Sequence, residues 1–214
     1  MEQLVNGMLR RNVVRFGASF QLKDGRRSVA YVNLRNMISM PGLFDDAVKA
    51  YAETLRRNPE LIINDDGRRR HMAGIPEAAT PYAGAVAYEI GGQIPLLQRR
   101  VKLKEHGQPN AIEGRFTLGD ELVLLDDVIT SAESKLAEAE IYQAAGVKTT
   151  GVIVLVDRQQ GGRTELESRG IGFVSAMTLS GIARYALSER KAGITQGIYD
   201  ELLSELDQNE LADN

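Results

Sequence analysis

The chain has 214 residues, 43% hydrophobic and 26% charged, with a formal net charge of −3, the composition of a globular domain long enough to bury a core without staples. It contains no cysteine, which excludes a disulfide framework, a thiolate nucleophile and a sulfur-ligated metal, and fits a reducing cytoplasm as the expected compartment. No apolar run approaches the roughly 18 residues of a membrane span, and the small negative charge gives no reason to expect nucleic-acid binding.

The N-terminal stretch MEQLVNGMLRRNVVRFG has apolar residues at helical spacing, interrupted by Asn6, Arg10, Arg11 and Arg15, and lacks the continuous apolar core of a signal peptide. It predicts a helix. SFQLKDGRRSVAYVNLR then reads as a hairpin, with alternating segments flanking Asp24-Gly25. A helix from about Gly42 to Arg57 is stopped by Asn58-Pro59. The triplet Arg68 to Arg70 and the adjoining His71 read as solvated surface. A short strand near Met72 to Ile75 leads into PEAATPYAGAVAYEIGG, a helix with Pro81 in its first turn. GGQIPLLQRR supplies a further strand, and the polar, basic, glycine-punctuated segment from Val101 to Arg115 is a loop.

The apolar run ending at Leu125 is a strand of the kind found where both faces of a parallel sheet are covered. From Glu133 onward Ala137, Ile141, Ala144 and Ala145 fall at helical spacing, and Gly146 can end that helix. TTGVIVLVDR and GIGFVSAM add two strands, two helices close the fold, and the polar tail from about 207 to 214 is expected to fray. Strand alternating with helix argues for an α/β fold, a mostly parallel central sheet flanked by helices, in a single domain spanning 1–214. No internal repeat or linker divides it.

One stretch carries chemistry. In ELVLLDDVITSAESKLAEAE the acids Asp126 and Asp127 end an apolar strand, and Thr130, Ser131 and Ser134 precede or open a helix. The carboxyl ends of parallel strands are where open α/β sheets bind ligands. A helix start offers free N–H groups and the positive end of a dipole, which suit a phosphate, and the hydroxyls add donors. Carboxylates only accept, so they suit sugar hydroxyls or a magnesium ion and its waters. The pattern describes a site for a phosphorylated sugar. Equally, the two acids can end a strand and a serine can cap a helix with no ligand involved.

VLLDDVITSAES resembles the phosphoribosyl pyrophosphate signature of type I phosphoribosyltransferases. Four further segments resemble orotate phosphoribosyltransferases, in the family's order and over roughly residues 10 to 190: the hairpin FQLKDGRRSVAYVNLR, the pyrophosphate loop GIPEAATPYA, the mobile loop RRVKLKEHG, and VLVDRQQGG. The resemblance implies the type I phosphoribosyltransferase fold with a small N-terminal hood, about residues 1–38, that contains the hairpin. It also implies transfer of a phosphoribosyl group from phosphoribosyl pyrophosphate to orotate, with Mg²⁺ as cofactor, in a homodimer. By the same resemblance Asp126 and Asp127 hold the ribose hydroxyls and organise magnesium, carried mainly by the substrate. Thr130, Ser131, Ala132, Glu133 and Ser134 wrap the 5′-phosphate. Lys23, Arg100, Lys102, Lys104 and His106 neutralise the pyrophosphate, Lys104 and His106 from the neighbouring subunit. Arg158 meets the orotate carboxylate, and Phe20 packs near the pyrimidine.

The resemblance has gaps. Asn33 stands where the family has aspartate, Val101 where the mobile loop has its first lysine, Ala132 where the phosphate loop has glycine, and Glu133 where it has a small residue. A carboxylate aimed at a phosphate from roughly 4 Å would cost about 4 kcal/mol at an effective dielectric near 20. Glu133 is therefore expected to point outward, where an acid in a helix's first turn favours the dipole. Two alternatives follow from these departures: a non-catalytic nucleotide- or phosphosugar-binding regulator, and a transferase for another base.

Overall fold

The computed structural model describes residues 1–21, 27–100, 111–207 and 210, with the backbone alone at Ala18. Lys23, Lys102, Lys104 and His106, and with them the predicted hairpin turn and mobile loop, lie outside the described residues.

The chain opens with helix α1 (Glu2–Arg10), shorter than the apolar spacing implied. Asn12 adopts a left-handed φ of 57°, which breaks the helix, and the β-branched Val13 and Val14 that follow favour extended backbone. Strands β1 (Val14–Gln21) and β2 (Arg27–Val32) pair antiparallel from Val14↔Val32 to Gln21↔Arg27. This hairpin is a separate two-stranded sheet. Helix α2 (Pro41–Arg57) ends before Asn58, as predicted.

The central sheet is built from β3 (His71–Gly74), β6 (Glu121–Ile129), β7 (Lys148–Asp157) and β8 (Gly172–Thr178), all parallel in the order β3-β6-β7-β8. Helices α3 (Thr80–Glu89), α4 (Glu133–Ala144), α5 (Gly162–Ser168), α6 (Leu179–Ser188) and α7 (Gln196–Glu205) complete the described elements. GGQIPLLQRR does not add a full strand. Leu96 forms one parallel bridge to Met72, and the two-residue β4 (Gln98–Arg99) pairs antiparallel with β5 (Ile112–Glu113). Pro95 explains part of this, since it has no N–H to give a ladder; its carbonyl accepts from Met72 instead.

The strand pleat divides the core in two. Val123, Leu125, Ile153 and Leu155 face the cluster formed with α2, α3 and the hood, while Leu122, Leu124, Val152 and Val154 face Tyr142 of α4 and Leu166 of α5. Both faces of the sheet are covered, which is why β6 and β7 read as continuous apolar runs. The hood is fastened to the C-terminal helix by Glu205, which accepts from Ser28 Oγ at 2.6 Å and from the Val29 N–H at 2.9 Å.

Three surface expectations are overturned. His71 is only 9% exposed, with Nε2 3.2 Å from the Arg115 carbonyl oxygen, because it is the first residue of a strand buried along its length. Arg70 is not a solvated turn residue: its Nε donates to Glu121 at 2.6 Å and its guanidinium also reaches the carbonyl oxygens of Glu60 and Ile63. Within the tail expected to fray, Glu210 is 3% exposed and is tied down by the α5 region.

Candidate active site

The site forms at the carboxyl edge of β6 and β7. Asp126 and Asp127 are the sixth and seventh residues of β6 and are 7% and 6% exposed. Asp126 Oδ1 accepts from the Asp127 N–H at 2.9 Å, and Asp126 Oδ2 lies 2.5 Å from the Lys135 ammonium. The Tyr51 hydroxyl donates to the Asp126 carbonyl oxygen at 2.7 Å. Burial, then the negative charge of Asp126 and a hydrogen bond to it, push the Asp127 carboxyl up to about 6; Lys135 and Arg35 oppose the rise. Burial and the adjacent Asp127 push the Tyr82 hydroxyl to about 12, and burial with both acids raises Tyr51 well above its ordinary value. Both hydroxyls stay protonated at physiological pH, but only Tyr51 donates, while the buried Tyr82 hydroxyl has no hydrogen-bond partner among the described residues.

The phosphate-type loop follows. Thr130 is half-buried, Ser131, Glu133 and Ser134 are exposed, and Ala132 is fully buried. Glu133 opens α4 and Ala132 stands at the N-cap with no side-chain capping bond. The Ala132 N–H, the donor expected to serve a phosphate, instead donates to Glu165 Oε2 at 3.3 Å. Helix α5 reaches the loop because Gly162 lies against it: a Cβ there would come within 2.7 Å of the Thr130 carbonyl oxygen and 2.6 Å of the Ile129 side chain.

Arg158 is buried directly after β7, and its N–H donates to the Ile129 carbonyl oxygen at 3.0 Å, which joins it to the start of the loop. The segment Ile75–Ala79 leaves β3 at the same sheet edge, with the Ile75 N–H donating to the Leu125 carbonyl oxygen at 2.8 Å. Gly74 permits its tight return: a Cβ would stand 2.4 Å from the Ala79 carbonyl oxygen. Asp126, Asp127, Thr130, Ser131, Ala132, Glu133, Ser134 and Arg158 thus lie along one edge. Arg100 is placed at the base of the 101–110 segment, its guanidinium paired with Glu113 and its N–H bonded to the Ala111 carbonyl oxygen. Phe20 sits in the hood, its ring 5.8 Å from Tyr31 and 5.2 Å from the Arg15 guanidinium.

The charged side chains on the α4 side of the acids escaped the sequence reading. Lys135 and Glu138 are each 4% exposed, and Glu138 lies 3.4 Å from the Arg99 Nε. Burial raises the Glu138 carboxyl against the pull of Arg99. Residues 135 and 138 share a helix face, but a Lys and a Glu at that spacing read as a solvated pair, so the sequence carries no signal of their burial. A concavity of about 390 Å³ lies elsewhere, lined by Val5, Met177, Ile182 and Tyr185 among others, and gathers none of the candidate residues.

No family model matches the chain. Individual proteins do. Orotate phosphoribosyltransferase of Pyrococcus horikoshii is 31% identical over 186 residues, covering 86% of this chain and 94% of that protein. The chain belongs to the orotate phosphoribosyltransferase family. Uridine 5′-monophosphate synthase of Bos taurus is 37% identical over 177 residues, covering 83% of this chain but 35% of the synthase. The structure of Leishmania donovani UMP synthase superposes with a TM-score of 0.77 at 29% identity, covering 95% of this chain and 41% of that one. The chain therefore spans little more than a third of the synthases it resembles. Among the described residues no helix is long and apolar enough to cross a membrane.

Proposed function

We propose that the chain is a pentosyltransferase that moves the phosphoribosyl group of phosphoribosyl pyrophosphate to N1 of orotate. The bond from the anomeric carbon to the pyrophosphate oxygen breaks, the bond to N1 forms, and orotidine 5′-monophosphate and pyrophosphate leave. The observation that carries this reading is the convergence of the acid pair, the hydroxyl-bearing loop and Arg158 on one edge of the sheet.

An oxocarbenium-like transition state asks for electrostatic help more than for covalent chemistry. The acid pair forms the ribose site, Thr130 to Ser134 surround the 5′-phosphate, and Arg158 offers a guanidinium fork to the orotate carboxylate. Phe20 covers the pyrimidine from the hood. Lys23, Arg100, Lys102, Lys104 and His106 neutralise the departing pyrophosphate, Arg100 by exchanging Glu113 for it. Magnesium supplies charge neutralisation at the pyrophosphate when bound. An ion carried mainly by the substrate would reach the acid pair, Asp126 and Asp127, through water. The reading includes a dimer whose 101–110 segments serve neighbouring sites, and a cytoplasmic setting that the lack of cysteine allows.

The departures at Val101, Ala132 and Glu133 favour a non-catalytic regulatory role instead. A single assay separates the readings. Protein mixed with orotate, phosphoribosyl pyrophosphate and Mg²⁺ is expected to consume orotate, followed by its ultraviolet absorbance. Tight phosphosugar binding without turnover would establish the regulator.

A further inference from the structure

Lys135 is in the first turn of α4, beside a hydroxyl-rich exposed loop, yet it is 4% exposed. A lysine there ordinarily sends its ammonium to water. This one turns inward: Nζ lies 2.5 Å from Asp126 Oδ2, 2.6 Å from the Val128 carbonyl oxygen and 3.3 Å from Ser134 Oγ. An ammonium has three protons, and three acceptors surround it. They come from the strand, from its last residues and from the helix start, so one side chain clasps the loop of residues 129–133 from both ends. Asp126, with its other oxygen on the Asp127 N–H, has both carboxylate oxygens engaged within the protein. Asp127 feels Lys135 and Asp126 too, but no described hydrogen bond or ion pair occupies its carboxylate on the α4 side, and Arg35 and Tyr82 act on it from elsewhere.

A buried ion pair is weak evidence for stability, because desolvation offsets most of the attraction and apolar replacements are often as stable. Its location beside the reacting groups argues for another use. Resting on the proposed transferase reading, we propose that Lys135 is a positioning residue: it ties Asp126 to the phosphate loop and leaves Asp127 as the acid offered to the sugar diol. Arg99 and Glu138 complete the charges on that side of Asp126.

The experiment is a double-mutant cycle on Lys135→Met and Asp126→Asn, with KM for each substrate and kcat measured for wild type, both single variants and the double variant. Lys135→Met should raise KM for phosphoribosyl pyrophosphate at least tenfold while KM for orotate and kcat stay within threefold. Asp126→Asn should also raise KM for phosphoribosyl pyrophosphate at least tenfold, and the double variant should be no worse than Asp126→Asn alone, since the pair is lost once. Losses that multiply, or a KM for phosphoribosyl pyrophosphate changed less than threefold by Lys135→Met, would overturn the inference. Should Lys135→Met fail to fold because Asp126 is left unpaired, the double variant carries neither charge. Its KM for phosphoribosyl pyrophosphate must then rise tenfold over wild type, and a rise below threefold overturns the inference. Wild-type turnover alongside any such negative result leaves the transferase reading intact, whereas a wild-type protein that binds no phosphoribosyl pyrophosphate removes both.

Discussion

At the scale of single residues, the loop between β6 and α4 sets two demands against each other. A helix start attracts anions through its free N–H groups and dipole, and an acid in the first turn contributes about 0.3–1 kcal/mol by the same route. Glu133 holds that position in an exposed conformation, one residue after a buried Ala132 whose N–H is donated to Glu165. If Glu133 faced a bound phosphate at contact distance, repulsion of about 4 kcal/mol would weaken binding on the order of a thousandfold. Exposed and screened, it should cost far less. Glu133→Ser is expected to lower KM for phosphoribosyl pyrophosphate by less than tenfold in steady-state assays. A fall of a hundredfold or more would mean that the carboxylate points at the phosphate. This loop was legible as a binding element because acids and hydroxyls stand out after an apolar run. Lys135 was not legible, since a lysine within an alternating helix reads as solvated until its burial is seen.

At the scale of elements, α5 and the end of β7 act together. Asp157 Oδ1 accepts from the Gln159 N–H at 2.7 Å, Gln159 Oε1 accepts from the Ser180 N–H at 3.1 Å, and Glu210 accepts from the Gly161 and Thr164 N–H groups, each at 3.0 Å. These bonds shape the turn that carries Arg158. Neither α5 nor Glu210 could be read beforehand. Seven residues with one buried apolar side chain, Leu166, show no helical period, and an acidic tail normally has nothing to pair with. Burial raises the Asp157 carboxyl to about 6, with the Gln159 N–H resisting and Glu210 adding to the rise; Arg163 and Glu167 act in opposite senses. The native state therefore holds this proton more tightly than the unfolded chain, whose value is near 3.8. That advantage is present in acid and is lost as pH rises from about 4 to about 6. Asp157→Asn keeps the acceptor for Gln159 and removes the titration. It should be more stable than wild type at pH 7.5, by up to about 3 kcal/mol, with the difference shrinking towards pH 4.5. Urea midpoints at the two pH values test this, and a variant less stable than wild type at both would contradict it.

At the scale of the whole molecule, most of the architecture follows from pattern. Long apolar runs gave the parallel strands, and the Asn58-Pro59 and Gly146 stops bounded α2 and α4 as expected. What pattern could not supply was how the hood docks, because that depends on contacts distant in sequence, such as Glu205 with Ser28. The residues before the 101–110 segment are anchored: Arg99, in β4, pairs with Glu138, and Arg100, which follows it, pairs with Glu113 of β5. Arg158, by contrast, belongs to the β6–β7 edge of its own chain. If Lys104 serves the neighbour's site in a two-fold dimer, Lys104→Ala and Arg158→Ala damage different halves of a shared site. Unfolding and refolding equal amounts of the two inactive variants together should give half heterodimers, each with one intact site of two, and about a quarter of wild-type activity. Verified heterodimers that recover nothing would place Lys104 in the site of its own chain.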